Sequence, residues 1–189
     1  MIMMSIAEQA RQKPMNATPF GFDVVEVLYP AVNTCATVTA FGGRGLAGLH
    51  LGLFMGAGEE GGKGSEDSKP IDNAHLDLYL HVLKQQAYVK AATVVRKKAF
   101  NVNVESKSLD GIYVAGALEV WKTSFRNTLW KALTDYLKAF AKESGARLEY
   151  FQFDADVEST VDIHVNKMGV RFTKVDSDED VPRFQPFAV

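Results

Sequence analysis

Apolar positions along the chain switch between a period of two and a helical period, and the switches mark the elements. Residues 22–28 (FDVVEVL) are rich in valine and run into Tyr29-Pro30, which predicts a short strand stopped by the proline. Segments 33–41 and 46–54 both read as strands, and Gly42-Gly43-Arg44-Gly45 between them is the strongest hairpin signal in the chain. A helix is predicted over 71–86, with Asp72 or Asn73 as N-cap and Leu76, Tyr79, Leu80 and Leu83 on one face. Residues 88–100 read as the next strand. The stretch 109–124 carries both periods, since Ile112 and Val114 alternate whereas Leu118, Trp121 and Phe125 are spaced helically. The clearest helix covers 126–143, where Leu129, Trp130, Leu133, Tyr136, Leu137 and Phe140 form one wide apolar stripe and Gly145 supplies the stop. Three short strands follow over 148–153, 160–165 and 170–175, before an acidic segment at 176–180.

This order predicts an α+β fold: a mixed, mainly antiparallel sheet or sandwich with helices packed on one side, rather than regular βαβ alternation. A chain of 189 residues, 47% of them hydrophobic, is long enough to bury one core without metals or disulfides. A single domain is therefore expected over 1–189, with 1–20 as an N-terminal extension, 23–175 as the core and 176–189 as a tail. Residues 56–69 (GAGEEGGKGSEDSK) have almost nothing to bury and read as a mobile loop beside the hairpin.

Charge narrows the partner classes. The 21 basic and 23 acidic residues nearly cancel, and the longest basic run is Arg96-Lys97-Lys98, so neither nucleic acid nor a membrane surface is an expected partner. Residues 1–17 lack the continuous apolar run of a signal peptide, and no segment approaches the ~20 apolar residues of a membrane span. The single cysteine permits no internal disulfide, so the chain reads as cytoplasmic, or as an effector secreted without a cleaved signal. His75 and His81 are six apart and fall on different helix faces, His164 alternates with apolar neighbours onto a solvent side, and the glycines of 56–64 lack the ending of a phosphate loop. No metal and no cofactor are expected.

The glycine turn fixes more than a hairpin. With Gly42 opposite Gly45, Ala36, Val38 and Ala40 face Leu51, Leu49 and Ala47, while Cys35, Thr37 and Thr39 face Gly52, His50 and Gly48 on the other side. Cys35 and His50 become diagonal neighbours with Cβ atoms on the order of 7 Å apart. The glycines flanking His50 on that face predict an uncovered surface where a substrate backbone lies against the pair. A thiol needs an imidazole to become a thiolate and later to protonate a leaving amine. The pair therefore points to cysteine-dependent amide hydrolysis, with Cys35 as nucleophile, His50 as general acid and base, and Thr37, directly opposite His50, as the nearest group to orient the ring. The alternative is a non-catalytic protein-binding module in which Cys35 is a small buried residue.

The run Cys35-Ala36-Thr37-Val38-Thr39, a glycine turn, and Gly45-Leu46-Ala47-Gly48-Leu49-His50 resembles the chemoreceptor glutamine deamidases (CheD-like). The later order, Arg126-Asn127 leading into a long helix, Gly145 and a strand meander to Val175, is similar to theirs, and the spacing of Cys35 and His50 resembles that of the cytotoxic necrotizing factor type deamidases. The resemblance implies a deamidase-like fold and a protein substrate presenting a glutamine side chain, with transamidation as the outcome when an amine replaces water. The family places a threonine six residues before the cysteine, where this chain has Tyr29, and a glycine-rich strand end where this chain has Lys97-Lys98-Ala99-Phe100.

Overall fold

The computed structural model describes residues 20–55, 69–97, 102–105, 107–124, 128–153, 160–175, 179–181 and 184–186. In chain order the elements are β1 (Phe20–Asp23), β2 (Glu26–Val32), β3 (Ala36–Gly42), β4 (Gly45–Leu51), β5 (Phe54–Met55) and β6 (Lys69–Pro70), then helix α1 (Asn73–Gln86) and a π-helical turn at Ala87–Ala91. There follow β7 (Val94–Lys97), β8 (Val102–Glu105), β9 (Gly111–Gly116), α2 (Leu118–Ser124), α3 (Thr128–Ser144), β10 (Arg147–Phe153), β11 (Val161–Asn166), β12 (Gly169–Lys174) and β13 (Phe184–Pro186). A large sheet has the order β1-β4-β3-β9-β10-β13, a small one β12-β11-β2, and β5-β6 and β7-β8 form two short ribbons. β9 and β10 pair parallel and all other neighbours antiparallel. A parallel pair needs a crossover, and α2 with α3 supplies it.

Side-chain alternation divides the large sheet between two cores. Ala36, Val38, Ala40, Ala47, Leu49, Leu51, Ile112 and Val114 project to one face, where Leu76, Leu80 and Leu83 of α1, Trp121 of α2 and Leu133, Leu137 and Phe140 of α3 cover them. Phe41, Leu46, Tyr113, Ala115, Phe151 and Phe153 project to the other and meet Val27, Tyr29, Val32, Val161, Ile163, Val165 and Phe172 of the small sheet. The result is three layers, helices on the large sheet on the small sheet, an α+β fold with helices on one side as the pattern predicts.

The helix ends follow their caps. The Asp72 carboxylate accepts the backbone N–H of His75 at 2.9 Å, which makes Asp72 the N-cap of α1. Gly145 stops α3 with a left-handed φ of 70°.

Three segments depart from the sequence pattern, and a fourth resolves into both of the periods it carries. Pro30 does not end its strand: β2 continues to Val32 through a bulge, because Ile163 pairs with Tyr29 and Val161 with Val32, leaving Pro30 and Ala31 to share the place opposite Asp162. Proline brings no N–H, so a bulge tolerates it, and the extra residue turns Val32 back toward the core, where strict alternation would have sent it outward. Residues 87–91 continue α1 as a π-helical turn instead of starting the strand predicted over 88–100, part of which, 98–100, lies outside the described residues. The hairpin turn imposes this: the Arg44 backbone N–H donates to Ala91 O at 3.1 Å, while its Nε and Nη2 donate to Ala92 O at 2.8 Å and Tyr88 O at 3.0 Å. Gly42 allows that approach, since a Cβ there would stand 2.7 Å from Ala91 O. The ambiguous 109–124 contains both periods, β9 giving way to α2 after Gly116. Finally, the large sheet extends past 23–175 at both ends, to Phe20 and to β13, so part of the expected extension and tail is edge strand. The glycine-rich loop at 56–68 and residues 125–127 lie outside the described residues. Among the described residues, no helix is long and apolar enough to cross a membrane.

Gly116 is where the sheet is least tolerant of change: its φ is 145°, and a Cβ would sit 2.3 Å from the Cys35 carbonyl oxygen. Gly116→Ala is expected to destabilise the fold by about 2 kcal/mol or more, through combined backbone strain and overlap. Urea denaturation measures this, and an unchanged midpoint would show that the end of β9 relaxes freely.

Candidate functional site

The β3–β4 ladder carries the register that the glycine turn predicts. Ala36 pairs with Leu51, Thr37 with His50, Val38 with Leu49, Thr39 with Gly48 and Ala40 with Ala47, closed by the two residues Gly43 and Arg44. Cys35 lies one residue before β3, half-buried against the core between the sheets. His50, also half-buried, directs its ring to the same side and meets Tyr29 edge-on, centroids 6.1 Å apart at 70°. The sole thiol and this imidazole thus lie on one face of the large sheet.

That face is not uncovered, as the flanking glycines had suggested. The small sheet lies over it, and Tyr29 is fully buried there. Its hydroxyl reaches Thr39 Oγ1 at 2.7 Å and Val38 O at 3.4 Å. Thr39 is the partner of Gly48 in the β3–β4 ladder. Tyr29 stands where the resemblance would place a threonine, six residues before the cysteine. Its residue type departs from that pattern, whereas its spacing from the cysteine fits it.

Burial sets the electrostatics. The Cys35 thiol is pushed up to about 11 by desolvation, so the resting sulfur carries its proton. Desolvation also raises the Tyr29 hydroxyl far above its ordinary value, outweighing the opposing hydrogen bonds to Thr39 and the Leu49 backbone, and the phenol stays neutral. The Thr37 hydroxyl donates to Ala115 O at 2.9 Å, so the role expected of it toward His50 is restricted to accepting through its oxygen. The loop before β3 is pinned from the β9–α2 junction: Ala117 N–H donates to Cys35 O at 3.2 Å and Trp121 Nε1 to Thr34 O at 3.0 Å.

The remaining histidines stand apart from this pair. His75 Nδ1 lies 2.7 Å from the Asp72 carboxylate on the exposed first turn of α1, and His81 is exposed. His164 faces outward from β11 and bridges all three strands of the small sheet, with Nδ1 3.0 Å from Glu26 and Nε2 3.1 Å from Thr173. No group of three or more His, Cys, Asp or Glu converges as a metal set among the described residues.

The neutral resting thiol has a direct signature. Alkylation of Cys35 by iodoacetamide is expected to be slow at neutral pH and to accelerate roughly tenfold per pH unit toward about pH 11, because only the thiolate reacts. A plateau reached near the free-thiol value of ~8.5 would contradict the desolvation of this sulfur.

Comparison of the chain with protein-family profiles, with curated proteins and with solved structures finds no match.

Proposed function

We propose that this protein is a cysteine-dependent amide hydrolase that converts a glutamine side chain on a protein partner to glutamate. The observation that supports the reading is that Cys35, one residue before β3, and His50 of β4 both lie against the core between the two sheets. In the reaction, Cys35 Sγ bonds to the carboxamide carbon as its proton passes to His50. His50 then returns that proton to the departing nitrogen, and ammonia leaves behind a thioester. Water, deprotonated by the same imidazole, adds to the thioester and releases the carboxylate and the thiol. Because the resting thiol is neutral, proton transfer to His50 accompanies attack, and no stored thiolate is needed. A protein of this kind works in the cytoplasm or another reducing environment, where its only thiol stays free.

The burial of Cys35 favours a second reading, a protein-binding module that keeps the fold without chemistry. The two separate on turnover. Incubation with glutamine-bearing peptides is expected to release ammonia and give the mass shift of glutamine-to-glutamate conversion, and Cys35→Ser and His50→Ala are each expected to lower the rate at least about a thousandfold. Equal ammonia release from both variants and the parent would defeat the hydrolase reading; binding of a protein partner without ammonia release from any of the three would establish the module.

A further inference from the structure

The peptide that leads into the thiol is held by the single polar atom of a buried ring. Trp121 of α2 is fully buried, and its Nε1–H donates to Thr34 O at 3.0 Å. One residue on, the Ala117 N–H donates to Cys35 O at 3.2 Å, across the close approach that Gly116 allows. The Trp121 backbone N–H donates in turn to Ala117 O at 3.3 Å, which ties the indole to the same junction. Two successive carbonyls, those of Thr34 and Cys35, are thus fixed from the β9–α2 junction. A trans peptide bond sets its N–H antiparallel to its carbonyl, and no described peptide bond is cis. The Cys35 N–H therefore points away from the indole that holds the Thr34 carbonyl, and no backbone carbonyl among the described residues accepts it.

We propose that Trp121 is a positioning residue: by holding the Thr34 carbonyl, its indole aims the Cys35 N–H at the oxygen of the carboxamide that Sγ attacks. The assignment rests on the amide-hydrolase reading for its catalytic consequence, whereas the hold on the peptide is measurable without turnover. As Sγ bonds to the carboxamide carbon and its proton passes to His50, the carbonyl electron pair moves onto oxygen. That oxyanion forms beside the backbone of the nucleophile itself, and an N–H whose peptide is already fixed stabilises it without reorganising. Trp121 touches neither substrate nor sulfur in this scheme and acts only through the peptide it holds. Without the indole N–H the Thr34–Cys35 peptide is free to rotate, and the donor loses its aim. Alkylation of the sulfur builds no oxyanion and is indifferent to that donor.

The test uses the full-length protein. Trp121→Phe removes the donor and keeps an aromatic ring; benzothienylalanine in place of Trp121 keeps the fused ring, loses only the N–H, and carries the test if Trp121→Phe does not fold. Either change is expected to shift the NMR signals of the Thr34 carbonyl carbon and the Cys35 amide. Either is also expected to lower kcat on a glutamine-bearing peptide by about 10- to 100-fold with KM little changed. Alkylation of Cys35 by iodoacetamide is expected to stay within about twofold of the parent rate, because it depends on the thiolate alone. Parental kcat in a folded variant would overturn the proposal, as would Thr34 and Cys35 signals that do not move. Loss of kcat matched by an equal slowing of alkylation would overturn it too, since that marks a displaced sulfur. A parent that releases no ammonia refutes the hydrolase reading; shifted Thr34 and Cys35 signals in the variants then leave the hold on the peptide standing, and unmoved signals end both.

Discussion

The two-residue turn at Gly43 and Arg44 leaves the β3–β4 ladder a single register, and both cores inherit their composition from it. One place of slip would turn one strand over against the other, mixing His50 and Gly48 with Val38 and Ala40, or Thr37 and Thr39 with Leu49 and Leu51, on the same face. Buried threonine hydroxyls or an imidazole would then face an aliphatic layer with few polar partners, while the inter-sheet core would lose a position that Tyr29 meets. The turn is itself held from outside, because Arg44 occupies the carbonyls at the end of the π-helical segment. Register, helix end and site geometry are therefore parts of one constraint.

Much of this was legible in the residues. The glycine turn, the alternation of β3 and β4, the stripe of α3 and the caps at Asp72 and Gly145 are local signals, and each fixes its element by local physics. What could not be read depends on contacts far along the chain. A strand through Pro30 requires β11 to offer Asp162 opposite it; a π-helical turn at Ala87–Ala91, against the strand preference of Tyr88 and Val89, requires Arg44 from the hairpin. The covered face of the Cys35 and His50 pair was missed for the same reason. Glycines at 48 and 52 carry no mark of the small sheet, and only the tertiary arrangement lays it over this face with Tyr29 against His50.

The site balances reactivity against packing. A thiol is a better nucleophile when exposed and flanked by positive charge, whereas Cys35 sits against an apolar layer that disfavours its anion. Such a sulfur is protected from oxidation and from adventitious electrophiles. In the hydrolase reading it becomes reactive only when a substrate carbonyl accepts the electron pair as His50 accepts the proton.

The pairing of β2 with β11 has a consequence for how the molecule comes to exist. The β3–β4 hairpin closes over a handful of residues, but the strand that covers it bonds to a partner more than a hundred positions later, as the Ala31 to Asp162 contact shows. During synthesis from the N-terminus, the residues of the hairpin are made before β11, so the layer over the sulfur and imidazole cannot close until β11 emerges. The nascent chain thus passes through an interval in which its one cysteine is unshielded, and completion of the small sheet ends that exposure.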